Sequence, residues 1–527
     1  MPSLDEQEAW LSAKFVKVER SNLILGLSVL VYGVVFSSLT ILRYYAFKTC
    51  AWDFGIFTQS YWTTVHTGRF FYHTCELFVN PSGSFFGVHF SPILFLIVPF
   101  YWIVPIPETL LVFQAFILGL AALPIYKLAR EYAGGRTVGL IFASAYLLYP
   151  AIQFVNWYDF HVQAFLPLLL GYTVYYITKE NWPKYSLFLF LSLICEEHVA
   201  FITFFVGIYI AWKYKGHIIS AFKKRRLGEK KLLIPLFTMI ISVIWYWFTL
   251  WQRDTFFPTN PLAVNEFLGS ANFAILGAKN PLEIPLLVII RPLNAVQALV
   301  YDWQVKLLYL FLLFGPLAFF SLKSPSALIP VIPWFGFSLL SQTLAHHAFG
   351  HQYEAYFTSF IFAAAIFGLR KNLLKKHGLK DISGSLKKVV VCSLIFFVTT
   401  SPISPLIGYL FSSYTSIYIG EHEGFLSEVL MMIPSNASIL TQNNLFPQVS
   451  NRLDAYVVPN RFLDTSIRDL AISFVNQTMD KVEYLLVDNN TDPTATLLIL
   501  SLLKTHPQFT LKVSRDNGTI LLYKRER

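Results

Sequence analysis

Long apolar runs separated by clusters of charged residues dominate this sequence of 527 residues. A run of about twenty apolar residues can cross a lipid bilayer as a helix, and the run 23–42 has that length. Further runs follow it, so the pattern predicts a mostly α-helical, polytopic membrane protein with about eleven transmembrane helices. The later runs are 109–128, 138–154, 164–177, 185–194, 199–212, 232–250, 307–322, 327–344, 356–369 and 389–410.

Composition excludes an ordinary soluble protein. Apolar residues make up 55% of the chain and charged residues only 14%, and the mean hydropathy is +0.52. The first run lies behind a polar leader that contains Lys14, Lys17 and Arg20. Because that run is long enough to span and no cleavage pattern precedes it, we expect it to stay as the first span.

Two apolar segments do not fit simple crossings. The runs 185–194 and 199–212 are each short, and a single helix through both would bury Glu196 and Glu197 in hydrocarbon. They are therefore predicted to be two short helices that meet at these carboxylates. The segment 90–104 is interrupted by prolines, so we expect it at the outer interface or as a re-entrant piece.

Positive charge orients this arrangement. With a cytoplasmic N-terminus, the cytoplasmic segments hold 24 Lys and Arg and the outer loops hold 7. This asymmetry is what the positive-inside rule requires, and a full crossing by 90–104 would reverse it. The net charge of +10 is explained by membrane orientation, so nucleic-acid binding is not expected.

The sequence after residue 410 is mixed and polar. Strand-like runs at 484–487 and 519–523 and a helical pattern at 493–503 predict a small α/β domain over 411–527. All four Asn-X-Ser/Thr acceptor patterns lie here, at Asn436, Asn476, Asn489 and Asn517. They support an external location for this tail, so the predicted transmembrane domain is 1–410 and includes a first outer loop, 43–107, with interfacial helices.

Imidazoles and carboxylates gather on the predicted outer side, whereas nucleotide-binding loops and the familiar catalytic motifs of soluble enzymes are absent. Such a collection at one face of a helical bundle suits acid–base chemistry, metal binding or a proton path. The outer-side histidines are His66, His73, His89, His161, His198, His346, His347 and His351, and the outer-side acids are Asp53, Glu76, Asp159, Glu196, Glu197, Asp302 and Glu354.

Several of these residues have ordinary structural explanations. Asp53 begins an amphipathic stretch and could cap a helix on the membrane surface, and Asp159 and His161 lie in a tight turn that favours Asp by itself. Glu196, Glu197 and His198 favour function, because such groups are costly between membrane helices unless solvated or used.

Two cysteines, Cys50 and Cys75, lie in the same predicted outer loop. In an oxidising exterior they could form a disulfide, or each could be a free, buried apolar side chain. The sequence leaves both possibilities open.

Six motifs follow one another along the membrane region: Trp52-Asp53-Phe-Gly-Ile-Phe-Thr-Gln59, His89-Phe-Ser-Pro92, Leu123-Pro-Ile-Tyr126, Asp159-Phe-His161, Glu196-Glu197 and Gln352-Tyr353. In this order they resemble the family of predicted membrane proteins called domain of unknown function 2079. That family in turn is similar, more remotely, to the GT-C glycosyltransferases. The resemblance implies transfer of a sugar from a polyprenyl-phosphate donor to an acceptor at the outer membrane face.

By this resemblance, Asp53 occupies the position of an acidic residue used as base or metal ligand. The catalytic candidates are Asp53, Glu197 and Asp159, and the substrate-binding candidates are His89, His161, His351 and Tyr353. A divalent metal ion is a possible cofactor, with Asp53, His161 and Glu197 as candidate ligands. Two departures from the family pattern are that Phe54 and Gly55 follow Asp53, where a second acid is common, and that Glu196-Glu197-His198 replaces a basic residue followed by Glu-Asp.

Two other functions stay open at this point. The chain could be a transporter or channel in which outer-face His and carboxylates handle protons or metal ions. It could also be a non-catalytic membrane protein that presents an external domain. The expected partners are membrane lipids and the lipid-linked sugar donor.

Overall fold

The computed structural model describes residues 20–226, 228–260, 270–279, 281–375, 379–411 and 415–526. The basic leader with Lys14 and Lys17 lies outside these residues. The helices of the apolar region are Arg20–Tyr45, Ile56–Thr67, Val98–Ile103, Glu108–Leu120, Ala122–Ala129, Arg136–Leu147, Pro150–Trp157, Leu166–Thr178, Trp182–Leu193, Val199–Lys213, Lys215–Lys223, Lys230–Phe256, Ile284–Ile290, Pro292–Val300, Trp303–Phe314, Ile332–Leu340, Thr358–Lys375, Leu379–Thr400 and Pro405–Leu410.

The helices confirm a helical membrane protein with several spans. Among the described residues, four are long and apolar enough to cross a bilayer: Arg20–Tyr45, Glu108–Gly134, Lys230–Phe256 and Ser383–Leu410. Two bent pairs, with bends of 44° and 71°, raise this number to six if each is one span. The other predicted runs form shorter apolar helices, so the number eleven stays a prediction.

The outward face of helix Lys230–Phe256 is apolar, as a lipid environment requires. Only 22% of its most apolar window is buried against the protein, and its outward face exposes Leu236, Phe237, Ile244 and Trp247. In lipid such side chains need no protein partner, whereas every backbone N–H and C=O must be satisfied within the helix.

The two irregular segments fold as their sequences predict. Helix Trp182–Leu193 ends and helix Val199–Lys213 begins on either side of Glu196 and Glu197. The segment 90–104 contains a 3₁₀ turn, Pro92–Leu96, and a six-residue helix, Val98–Ile103, which is far too short to span. One part of its apolar side chains is buried, as Leu94 and Tyr101 are, and another part is exposed, with Trp102 70% exposed, as suits an interfacial position.

The polar C-terminal region forms the predicted α/β structure. Its sheet has the strand order β2-β1-β3-β5-β4, in which β1, β2 and β3 are parallel and β5 is antiparallel to both β3 and β4. The strands are β1 Ile439–Thr441, β2 Ala455–Val457, β3 Tyr484–Asp488, β4 Phe509–Arg515 and β5 Ile520–Arg525, and the accompanying helices are Glu421–Met431, Phe446–Val449, Arg468–Met479 and Pro493–Leu502.

The loops after β1 and before β2 pack against the first loop of the membrane region. The fully buried Gln59 amide donates to the carbonyls of Arg452, Leu453 and Ala455 at 3.1–3.3 Å, while its oxygen accepts from the backbone N–H of Thr74 at 2.8 Å. Gly55 lies so close to Phe446 that a Cβ atom would come within 2.5 Å of its ring.

The Gln59 contacts predict the effect of a substitution. Gln59→Leu keeps the side-chain volume but removes the Gln59 hydrogen bonds to the Arg452 and Leu453 carbonyls and to the Thr74 N–H, whereas the Ala455 carbonyl still accepts from the Thr74 hydroxyl. This loss should cost about 1–3 kcal/mol of stability. We expect a lower melting temperature and faster proteolysis of the C-terminal region. The exposed Gln477, bonded only to Ser473 in its own helix, provides the control: if Gln477→Leu destabilises the protein as much, the contact is not the cause.

Candidate functional site

Asp53 lies in a single π-helical turn, Ala51–Gly55, at the start of helix Ile56–Thr67. The turn is held from the C-terminal region, because the Ala51 N–H donates to both the carbonyl and the side-chain oxygen of Asn443, each at 2.9 Å. Asp53 makes no capping bond. The capping explanation for this residue is therefore wrong, and its carboxylate is directed elsewhere.

Three side chains surround the Asp53 carboxylate. His161 Nε2 lies 2.9 Å from Oδ1, and the Tyr158 hydroxyl and the Cys50 thiol each donate to Oδ2 at 2.7 Å. Burial by itself would raise the pKa of Asp53, but these hydrogen bonds, led by that from His161, lower it below the ordinary value. Asp53 is therefore an anion at physiological pH, with 19% of its side chain exposed.

His161 has an acceptor at each ring nitrogen. Nε2 faces the Asp53 carboxylate, and Nδ1 faces the backbone carbonyl of Asp159 at 2.8 Å. Only the doubly protonated ring donates to both. Burial opposes that charge, but the Asp53 hydrogen bond and charge raise the pKa of His161 above its usual value, so geometry and charge both favour the imidazolium form.

Asp159 serves as the anchor of the turn that carries His161. Its Oδ1 forms an ion pair with Arg43 at 2.8 Å, and its Oδ2 accepts from the backbone N–H of Cys50 at 2.8 Å. Both charged side chains are almost fully buried. We call Cys50, Asp53, Tyr158, Asp159, His161 and Arg43 the Asp53 cluster.

A second group forms at the break between helices Trp182–Leu193 and Val199–Lys213. His89 Nδ1 lies 2.9 Å from Glu197 Oε1 and 3.3 Å from Glu196 Oε1, while His198 Nδ1 lies 3.6 Å and 3.7 Å from the same two oxygens. Burial opposes the positive charge of His89, but the two carboxylates raise the pKa of this residue to about 9. We call His89, Glu196, Glu197 and His198 the Glu197 cluster.

Aromatic contacts connect the two clusters. The Phe57 ring packs on His161 and on Phe85, with centroids 6.0 Å and 4.8 Å away, and Phe85 in turn lies 5.8 Å from His89. Burial raises the pKa of Tyr353, and the charges of Asp53 and Glu196, one from each cluster, raise it further.

The structure thus brings the predicted residues together in two adjoining groups. Asp53, Asp159 and His161 meet directly, and His351 joins them through Tyr158, whose ring centroid lies 4.9 Å from its own. Glu197 and His89 meet each other instead. A role for these seven residues in a common site stays a prediction.

Sequence reasoning missed several partners of these residues. Arg43 is one of the seven Lys and Arg of the predicted outer loops, and no motif distinguishes it as the partner of Asp159. Tyr158 and Tyr356, which bond Asp53 and Glu196, gave no signal in a chain with 28 tyrosines. Cys50 and Cys75 do not form the possible disulfide, because both are free thiols. Cys50 donates to the Asp53 carboxylate, and Cys75 donates to the Ala51 carbonyl.

The sequence matches the model of a family described as "Predicted membrane protein (DUF2079)" over residues 43–518. The chain belongs to this family. The matched region contains all the residues of both clusters and strands β1 to β4 of the C-terminal sheet, whereas β5 lies beyond its end. No curated protein matches the sequence significantly.

Among solved structures, the chain is similar to the oligosaccharyltransferase of Archaeoglobus fulgidus, both tethered to an acceptor peptide containing the NVT sequon and in the apo form. Each match has 12% identity and covers 95% of this chain and 74% of the other, with TM-scores of 0.39 and 0.38. Values below 0.5 do not establish a shared fold, so these matches say nothing about the activity of this chain.

Glu76 is a buried carboxyl group close to both clusters. Burial raises its pKa to about 7, against opposing charges on Arg461 and His89 and with the help of Asp53. The nearby His73 is 3.7 Å away, but burial lowers the pKa of His73 to about 3, so it brings no positive charge near neutrality.

This shift predicts a pH dependence of stability. Between the unfolded pKa, about 4.3, and the folded value of about 7, Glu76 is protonated more in the folded than in the unfolded protein, so the contribution of this group to stability falls as pH rises through that window. Glu76→Gln is neutral at every pH. We expect it to exceed the wild type in stability by about 1–3 kcal/mol at pH 8 and to lose this advantage near pH 4.

Melting temperatures of the two proteins across that pH range test the prediction. Glu428→Gln, at an exposed position, should track the wild type throughout. A Glu76→Gln protein that melts in parallel with the wild type at all pH values would show that Glu76 does not titrate in this window.

Proposed function

We propose that the protein is a membrane glycosyltransferase that moves a sugar from a polyprenyl-phosphate donor to an acceptor at the outer membrane face. The observation that carries this proposal is the anionic, partly exposed Asp53 carboxylate with a hydroxyl bonded to it. The Tyr158 hydroxyl donates to Oδ2 at 2.7 Å, which is the geometry that a general base needs toward an acceptor hydroxyl.

In the proposed reaction, Asp53 takes the proton of the acceptor hydroxyl as its oxygen attacks the anomeric carbon, and the bond from that carbon to the phosphate oxygen breaks. The departing phosphate gains negative charge. The Asp53 charge favours the imidazolium form of His161, 2.9 Å away, and the positive charge of that form would help to stabilise the phosphate in a partly desolvated setting.

An apolar surface suited to a polyprenyl chain adjoins the Asp53 helix. Tyr61, in helix Ile56–Thr67, donates to the Leu94 carbonyl at 2.9 Å and packs on Tyr101. The segment that contains Leu94 and Tyr101 exposes Phe95, Leu96, Phe100, Trp102 and Ile103. Such a patch suits the membrane interface, where a carrier lipid must arrive from the side.

The Asp53 cluster does not fit a metal ion. Metal-binding histidine must offer a neutral nitrogen lone pair, whereas both nitrogens of His161 face acceptors. Burial and the carboxylate charges raise the pKa of Cys50, so it stays a thiol, and Arg43 already neutralises Asp159. The proposed chemistry at Asp53 therefore uses the protein's own groups.

The proposal requires Asp53 and the C-terminal domain, 411–527, to face outward and the N-terminus to lie in the cytoplasm. Asn443 contacts Ala51 directly, so the first loop and the C-terminal sheet share one side of the membrane. The excess of Lys and Arg in the opposite loops supports this orientation.

Substitution of Asp53 tests the chemistry. Asp53→Asn keeps the size and removes the charge, so transfer should fall at least about 100-fold while the melting temperature changes little. Lipid extracts and glycoconjugates of deletion cells carrying the wild type or the variant provide the measurement. Asp464→Asn, at an exposed position, should restore the wild-type profile.

A Tyr158→Phe variant separates catalysis from packing. It keeps the ring that stacks on His161 and removes one of the two donors to Oδ2 of Asp53, leaving the Cys50 thiol as the other, so it should retain transfer. Full activity of a folded Asp53→Asn protein, or an equal loss in both variants, would contradict the role of Asp53 as base.

Labelling of single engineered thiols tests the orientation. Lys224 and Asn489 are both exposed and fall on opposite sides of the proposed topology. With the native cysteines blocked or replaced, a membrane-impermeant thiol reagent added to intact cells should label Asn489→Cys and spare Lys224→Cys. The reverse pattern would place Asp53 in the cytoplasm and exclude an outer-face reaction.

A further inference from the structure

We propose that the Glu197 cluster is a binding site for one divalent transition-metal ion, best suited to Zn²⁺. One ligand atom from each of His89, Glu196, Glu197 and His198 lies within 4.8 Å of the others. Two imidazole nitrogens and two carboxylate oxygens make a donor set that Zn²⁺ accepts in a tetrahedral arrangement. Mg²⁺ and Ca²⁺ prefer oxygen donors alone.

The spacing of the four atoms fits that geometry. Metal–ligand bonds of about 2.0–2.1 Å in a tetrahedron place neighbouring ligand atoms about 3.3 Å apart. The four measured nitrogen–oxygen separations are 2.9, 3.3, 3.6 and 3.7 Å. They lie on both sides of the ideal value, and every separation within the group is at most 4.8 Å, so the four atoms would complete the site by drawing in around the ion.

The carboxylates are oriented from outside. Glu196 Oε2 accepts from Gln163 Nε2 at 2.9 Å and from the Tyr356 hydroxyl, and Glu197 Oε2 accepts from the backbone N–H of Phe90 at 3.1 Å. In both residues the second oxygen, Oε1, is thereby turned toward the two imidazoles. Hydrogen bonds of this kind fix the ligands of metal sites and tune their affinity.

A divalent ion at this place would satisfy the charge of the cluster. Glu196 and Glu197 are almost fully buried side by side, and two buried carboxylates require compensation. Within the part of the chain that the structure describes, the ion pairs found for them involve His89 and His198 only. One divalent ion with two neutral imidazoles neutralises the group completely.

The site also has an entrance. The His89 and His198 side chains are 34% and 41% exposed, whereas both carboxylates are covered. An ion can therefore enter past the two rings and end on buried oxygens.

Metal binding to the purified full-length protein tests the inference without any sugar substrate, so its outcome is independent of the proposed transferase activity. After treatment with a chelator, the wild type should take up one Zn²⁺ per chain against a competing dye, and Mg²⁺ should not displace it. His89→Gln and His198→Gln should each weaken Zn²⁺ binding at least about tenfold. His66→Gln, at an exposed histidine bonded only to Trp62 of its own helix, should bind as the wild type does.

Co²⁺ substitution in the wild type gives a second readout that needs no variant. Four-coordinate Co²⁺ has strong visible absorption and six-coordinate Co²⁺ has weak absorption, because geometry decides the spectrum. A strong spectrum that Zn²⁺ abolishes is the expected result. Absence of Zn²⁺ uptake, uptake unchanged in both cluster variants, or a weak six-coordinate spectrum would each overturn the proposal.

Discussion

Asp159 connects three parts of the chain through its ion pair with Arg43 and its hydrogen bond from Cys50. Arg43 lies in the last turn of the first long helix, and Asp159 lies in the turn after helix Pro150–Trp157. Cys50, in the first loop, donates its N–H to the other oxygen of Asp159. Because removal of one partner from a buried pair strands a charge, such a pair is far more costly to break than an exposed one. The positions of His161 and Asp53 follow from it.

The C-terminal region completes the arrangement from the other side. Asn443 accepts a hydrogen bond from the Ala51 N–H. Gln59, in helix Ile56–Thr67, donates to the Ala455 carbonyl of strand β2. Asp53 lies in a short π-helical turn whose start is held by two contacts: the Cys50 N–H donates to Asp159 and the Ala51 N–H donates to Asn443. Rigid support of this kind is what keeps a reactive carboxylate in one orientation, and it makes the polar tail a structural part of the site.

Sequence patterns predicted the parts of the fold that lipid dictates. Apolar length located the long helices, the paired carboxylates located the break between helices Trp182–Leu193 and Val199–Lys213, and strand periodicity located β3 and β5. The helices shorter than a bilayer could not be counted as spans, because length and apolarity alone do not say which short helices join into one crossing. Prolines correctly marked 90–104 as a segment without a long helix.

The sequence predicted which residues belong to the candidate site, but it did not predict which of their atoms contact one another. Asp53, Asp159 and His161 share a predicted membrane side, which was enough to expect proximity, and they do meet. Which nitrogen faces which oxygen depends on contacts across more than 100 residues, such as Tyr158 with Asp53 and Tyr356 with Glu196. Tyrosine is too common in this chain to be informative, so no sequence signal distinguished these two.

The electrostatic difference between the clusters explains why one group of acids and histidines suits proton transfer and the other suits a metal. In the Asp53 cluster, Asp159 faces Arg43, which keeps its charge, and both ring nitrogens of His161 face acceptors. In the Glu197 cluster, the groups that face the two carboxylates are imidazoles alone. A divalent ion bound by two neutral imidazoles would balance the two carboxylates as two imidazolium rings would. The same residue types therefore have different chemistry, because Arg43 neutralises one cluster permanently and no arginine or lysine pairs with the carboxylates of the other in the described structure.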